Sequence, residues 1–116
     1  IHSIFLKTFG NSVCYDAYFE EYIAHIAYRR PDIVLVAAFQ RGEPCENLRL
    51  MNQMLAYHAG AFVLRSSVAM GKNSTTGGTS LAVDPAGKLL ADFGQNTGKM
   101  IIEIADPHWK YCRTEV

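Results

Sequence analysis

Of the side chains able to do chemistry in this 116-residue sequence, a thiol has the most suggestive setting. Cys14 stands in Asn11-Ser12-Val13-Cys14-Tyr15-Asp16-Ala17-Tyr18-Phe19-Glu20-Glu21, where an apolar, strand-like stretch gives way to a helical one. A strand-to-helix turn leaves the first amide N–H groups of the helix unpaired. Such donors lower the pKa of an adjacent thiol and can hold the oxyanion of a tetrahedral intermediate. Position by itself also fits a plainer role, because free cysteine is among the most buried residue types and packs as a small hydrophobe. The other candidates have weaker settings. His2, His25, His58 and His108 could each meet a cysteine in space, but none stands in a partner motif, and His58 reads as a core residue on an apolar helix face. Asp16 and Glu21 could serve as acid and base, and a helix start accounts for them equally as capping and dipole partners. Gly77-Gly78-Thr79-Ser80 could cradle an anion, yet it lacks the lysine of a phosphate loop and leads into a strand. Asn73-Ser74-Thr75 fits a glycosylation sequon, read as chance because no secretory pattern opens the chain.

The elements that would position Cys14 are legible from pattern. Ile4 to Leu6 and Val13-Cys14 are strand-forming, with Gly10-Asn11 between them as a turn signal, which predicts a hairpin or broken strand ending at Cys14. Phe19, Tyr22, Ile23, Ile26 and Ala27 recur at helical spacing, with Arg29 and Arg30 in the last turn and Pro31 as the stop. Ile33 to Ala38 is a continuous apolar run, the pattern of a strand buried on both faces of a sheet. After a polar loop from Gln40 to Cys45, a second helix places Leu48, Met51, Met54, Leu55 and His58 on one face and ends at Gly60. Ala61 to Leu64 then reads as another buried strand. Strand–helix–strand–helix–strand is an α/β order. Gly71 to Gly78 is a loop, and Thr79–Val83, Lys88–Phe93 and Met100–Ile104 read as strands. Asp84-Pro85-Ala86-Gly87 joins the first two of these through a tight turn.

Composition narrows the function classes. Lys plus Arg and Asp plus Glu are 11 each, a net charge of zero without the basic excess of a nucleic-acid binder. With 49% hydrophobic and 19% charged residues the chain is globular in composition, and its length suits one domain. The longest apolar run, Ile33 to Phe39, is far short of a membrane span, so neither nucleic acid nor membrane is an expected partner. Three cysteines, Cys14, Cys45 and Cys112, cannot all pair within one chain and show no zinc spacing. Free thiols are then expected, and with them a reducing, cytoplasmic setting.

Taken together, Val13-Cys14-Tyr15-Asp16 and Phe19-Glu20-Glu21 resemble the nucleophile segment of the nitrilase, or carbon–nitrogen hydrolase, superfamily, in which an apolar strand runs into Cys-Tyr-Asp/Glu and then Phe-Pro-Glu. Pro31-Asp32-Ile33-Val34-Leu35-Val36 resembles its Gly-Ala-Asp segment and next strand, and Gly60-Ala61-Phe62-Val63-Leu64-Arg65 its following helix–strand unit. Gly77-Gly78-Thr79-Ser80, Val83-Asp84-Pro85 and Gly87 are similar to its Gly-x-Ser…Val-Asp-Pro-x-Gly hairpin. The ordered set runs from Val13 to Ile104. Glu20 departs from the family's Pro, and Arg65-Ser66-Ser67 from its small-residue/Asn pattern. Arg65 is similar to an arginine of the lipoprotein acyltransferase branch.

The resemblance implies an α/β fold, the C-terminal part of an α-β-β-α sandwich, with a mixed sheet and helices on one face. It assigns residues 1–105 to that part of the domain and leaves 106–116, with Trp109 and Tyr111, as a tail expected to pack on a partner subunit of a homo-oligomer. It implies Cys14 as nucleophile toward a small-molecule amide or nitrile, the Tyr15 N–H as oxyanion donor, a thioester intermediate, and neither cofactor nor metal. The family's Glu base and its Lys precede the cysteine. The chain opens Ile1-His2-Ser3, and Lys7 is too near Cys14 to match that Lys, so this length of chain is expected to be inactive alone. Two other readings stay open: a truncated or degenerate piece with only a folding or association role, and acyl transfer onto an amine.

Overall fold

A computed structural model describes residues 2–4, 7–13 and 20–104 of the chain. Six strands and two helices follow in the order β1 (His2–Ile4), β2 (Lys7–Val13), α1 (Glu20–Arg29), β3 (Ile33–Ala38), α2 (Cys45–Ala59), β4 (Phe62–Ser67), β5 (Ser80–Val83) and β6 (Leu89–Gly94). They form one sheet in which sequence order is spatial order. The β2–β3 and β3–β4 pairs are parallel, and the β1–β2, β4–β5 and β5–β6 pairs are antiparallel. A parallel neighbour needs a crossover, and α1 and α2 supply the two that this sheet requires. The expected mixed α/β sheet is therefore present.

One face of the sheet carries the core. Val34 and Val36 of β3, Val63 of β4 and Leu81 and Val83 of β5 pack with Ile26 of α1 and Leu55, Ala56 and Ala59 of α2. Three of these side chains, Val34, Val63 and Leu55, are fully buried, which at close packing makes this layer the main apolar contribution to stability. The helices end as their sequences predict. Arg30 takes a left-handed conformation (φ 51°) with its N–H bonded to Ile26 O before Pro31, and Gly60 (φ 64°, ψ 36°) closes α2 through its N–H to Ala56 O. The 84–87 turn also forms as expected: Gly87 N–H donates to Asp84 O, and the Asp84 carboxylate accepts from the amides of Ala86 and Lys88.

Several expectations are corrected. Gly10-Asn11 is no turn: both residues lie inside β2, paired with Val34 and Leu35, and the hairpin reverses between Ile4 and Lys7 instead. The long parallel ladder to β3 outweighs a local turn preference, since strand propensity depends on context. Strand β3 is not buried on both faces, because Leu35 (39% exposed) and Ala37 face away from the helices. The buried stripe of α2 runs Leu48, Asn52, Leu55, Ala59, so Met54 and His58 lie outside it and His58 is exposed rather than a core residue. A polar Asn52 holds the stripe by donating to Leu48 O at 2.7 Å, which the apolar pattern could not reveal. Met100–Ile104 forms no strand. The tail from 105 to 116, including Trp109, Tyr111 and Cys112, lies outside the described residues.

Candidate active site

The parallel strands end on a common line. Val13, the last residue of β2, pairs with Ala37, and Ala38, the last of β3, pairs with Ser67, the last of β4. The carboxyl edge of such strands is where α/β sheets present their loops to ligands. Three connections leave it: 14–19 from β2 to α1, 39–44 from β3 to α2, and 68–79 from β4 to β5. Cys14 and Tyr15, the predicted nucleophile and oxyanion donor, fall in the first, outside the described residues, as does Asp16.

The other two connections are built around buried polar side chains. Arg65, 4% exposed on β4, donates from Nη1 to Gln40 Oε1 (2.8 Å), from Nε to Thr79 O (3.1 Å) and from Nη2 to Gly78 O (3.3 Å). Gln40, itself buried, follows β3 by two residues, so one guanidinium joins the strand to both loops. Burying a cation is costly unless its donors are engaged, and the planar fork of Arg suits two successive carbonyls on one edge. Those carbonyls are parallel because Gly77, Gly78 and Thr79 all have positive φ (69°, 58° and 61°). Glycine adopts this region freely, while a β-branched Thr pays about 1–2 kcal/mol for it. Thr79, fully buried, is held there by its N–H to Gly94 O and its Oγ1 to Gly77 O, besides the bond from Arg65.

Gln95, just past β6, ties the far side of the 68–79 loop. Its Oε1 accepts from Met70 N (2.8 Å), and its Nε2 lies 3.0 Å from Gly77 O and 3.2 Å from Thr76 O. Cys45, the first residue of α2, has a half-buried free thiol that donates to the same Gly77 O at 3.4 Å. Phe39 and Arg41 stack at the loop after β3, with the guanidinium carbon 5.4 Å from the ring centroid. On the face away from the helices, Leu35, Ala37, Leu64, Ser66, Met100 and Ile102 line an open cavity of about 690 Å3. Among the described residues, no cluster of His, Cys, Asp or Glu is placed to hold a metal ion, and no helix is long and apolar enough to cross a membrane. His25 and His58 are both exposed, and Glu21 is exposed in the first turn of α1.

The sequence reading noticed Arg65 only as a departure from a family pattern. It missed Gln40 and Gln95 altogether. A polar residue two places past an apolar strand and another just past a hairpin could have drawn notice, but their partners are separated by 25 residues or more for Arg65–Gln40 and Gln95–Met70.

Comparison with known proteins places this architecture. The model of the carbon–nitrogen hydrolase family matches residues 3–111. A deaminated glutathione amidase of Synechocystis sp. is 27% identical over 118 residues, covering 99% of this chain and 43% of the relative. A CN-hydrolase superfamily protein of Xanthomonas campestris superposes with a TM-score of 0.79 at 15% identity, covering 98% of this chain and 46% of that one. An amidase of Nesterenkonia sp. AN1, in a variant showing covalent addition of the acetamide moiety of fluoroacetamide at its active-site cysteine, superposes at 0.73 with 23% identity, covering 94% and 42%. The chain thus spans less than half the length of the relatives it matches. With its family model matched over nearly its whole length and its fold shared with solved members, the chain belongs to the carbon–nitrogen hydrolase family.

Proposed function

We propose that the chain carries the nucleophile-bearing part of an amidase-type hydrolase in which Cys14 is the nucleophile. The observation that carries this reading is topological. Strand β2 ends at Val13, parallel to β3, and α1 begins at Glu20, so Cys14 stands in the strand-to-helix connection at the carboxyl edge. In the reaction proposed, the Cys14 thiolate attacks the carbonyl carbon of an amide, and the Tyr15 N–H steadies the oxyanion that forms. Collapse expels the amine, which takes up a proton, and leaves a thioester. Water then attacks the thioester carbon, giving a carboxylic acid and restoring the thiol. A nitrile would enter through a thioimidate and reach the same thioester after one hydration. Two comparisons support an amide as substrate: the Synechocystis relative is an amidase, and the Nesterenkonia amidase takes an acetamide group on its cysteine.

The resemblance sets a Glu base and a Lys before the cysteine, and the stretch from Ile1 to Val13 holds Lys7 and no Glu. The 116-residue chain assayed by itself is therefore proposed to turn over no amide. The exposed face bearing Leu35 and Ala37 and the aromatic tail 106–116 are proposed to promote self-association into a homo-oligomer, and the free thiol of Cys45 fits a reducing, cytoplasmic setting. The experiment is site-resolved alkylation: with iodoacetamide at neutral pH, Cys14 is expected to react at least about tenfold faster than Cys45 or Cys112, with a titration midpoint below the ordinary thiol value of about 8.5. Equal rates at the three cysteines in the folded protein overturn the assignment.

A further inference from the structure

We propose that Arg65 is a positioning residue for the Cys14 site, its guanidinium holding Gln40 after β3 and the Gly78–Thr79 carbonyls before β5 in one fixed wall beside the carboxyl ends of the parallel strands. This rests on the reading of Cys14 as nucleophile and goes beyond it by assigning the wall and the group that sets it.

Register places the wall. Val13 pairs with Ala37 and Ala37 with Ser66, so β4 lies two strands from β2, roughly 10 Å at the usual spacing. The 39–44 connection stands between them and is the immediate neighbour of 14–19. Arg65 reaches that connection from below. Its Nη1 takes Gln40, while Nε and Nη2, on the adjoining edge of the guanidinium, take two successive carbonyls of the 77–79 turn. The turn in turn abuts the 39–44 connection directly, since Gly77 N–H donates to Glu43 O at 2.8 Å and a Cβ at Gly77 would stand 2.5 Å from Gln40 O. Two loops are thus locked to each other and to the strand edge through one buried side chain.

The backbone at Thr79 is the second, independent sign. A buried, β-branched residue with positive φ persists only where its surroundings over-determine it, and such residues concentrate at sites whose geometry matters. Three bonds, to Gly94, Gly77 and Arg65, supply that constraint. A turn whose only task was to join β4 to β5 would be relieved by glycine at position 79. Arg65 instead holds the strained turn against the strand that neighbours β2.

Lysine separates geometry from charge, because Arg65→Lys keeps a cation but has one nitrogen in place of a fork. The test measures the iodoacetamide rate constant at Cys14 as a function of pH in the wild-type chain, Arg65→Lys and Arg65→Met, with Cys112 as internal reference and thermal unfolding followed in parallel. Misplacement of a reacting group by about 1 Å costs up to two orders of magnitude in rate. Both variants are expected to lower the limiting rate at Cys14 by roughly tenfold or more, with the titration midpoint and the Cys112 rate unchanged in Arg65→Lys. A limiting rate in folded Arg65→Lys within about twofold of wild type overturns the proposal, and so does a loss seen only in Arg65→Met, which would assign the effect to charge. If the Arg65 variants do not fold, Gln40→Met removes one of the three bonds and is expected to lower the same rate severalfold; no change there also overturns it. A wild-type chain in which Cys14 reacts no faster than Cys112 refutes the nucleophile reading itself, a result distinct from fast wild type with unaffected variants.

Discussion

Substituting alanine for glycine at two positions of positive φ separates backbone strain from steric contact around the candidate site. Gly94 (φ 58°) has open space where a Cβ would go, so Gly94→Ala costs only the left-handed penalty, partly offset by a less flexible unfolded chain, about 1 kcal/mol net. Gly77 (φ 69°) carries the same penalty, but its Cβ would lie 2.5 Å from Gln40 O and 2.6 Å from Met70 Cγ. The methionine can swing away. The Gln40 carbonyl cannot, because Arg65 holds that residue's side chain and Gly77 N–H is itself fixed on Glu43 O. Overpacking of this kind adds roughly 1–3 kcal/mol, so Gly77→Ala is expected to cost about 2–4 kcal/mol in all. In urea, with a slope of about 1–2 kcal/mol/M for a chain of this size, the midpoint of Gly77→Ala should fall roughly 1 M below that of Gly94→Ala. Equilibrium unfolding followed by circular dichroism reads both midpoints. Should Gly77→Ala unfold at the same urea concentration as Gly94→Ala, the 77–79 turn is not pressed against the 39–44 connection, and the fixed wall around Arg65 fails with it.

Other outcomes test the fold and the open face. Leu55→Ala empties a fully buried position between α2 and the sheet and should cost about 2–5 kcal/mol, measured by the same unfolding curves; a loss under 1 kcal/mol would mean that α2 is not seated on the sheet as described. Asp84→Ala removes the carboxylate that accepts two backbone amides of the 84–87 turn and should destabilise by about 1 kcal/mol, with Gly87 amide exchange accelerated. Leu35→Lys places a charge on the exposed face and should reduce concentration-dependent association by light scattering, without lowering the unfolding midpoint by more than about 0.5 kcal/mol. Unchanged association would remove that face from the self-association proposed above.

The local elements were legible because short-range rules govern them. Period and stop signals located α1 and α2, Gly60 has the left-handed conformation that a helix-ending glycine takes, and Asp84-Pro85-Ala86-Gly87 makes the turn its residues favour. Errors came where a distant partner decides. Gly10 and Asn11 are strand because β3 pairs with them, and Asn52 is buried in place of Met54 because α2 is rotated to suit the sheet beneath it. The alternation in β3 was hidden by its uniformly apolar composition, and only its packing against helices on one side separates Val34 and Val36 from Leu35 and Ala37.

The same division holds at the candidate site. Residue types and their order along the chain determined by themselves that a cysteine follows an apolar strand and precedes a helix, and family membership bears that order out. Which side chains stand around the carboxyl edge was decided only in three dimensions. Arg65, Gln40, Thr79 and Gln95 come from four separate stretches, and a hydrogen bond between residues 14 to 25 positions apart leaves no periodic trace in sequence. Chain folding brings them within about 3 Å of one another's polar atoms, and burial makes each partner obligatory.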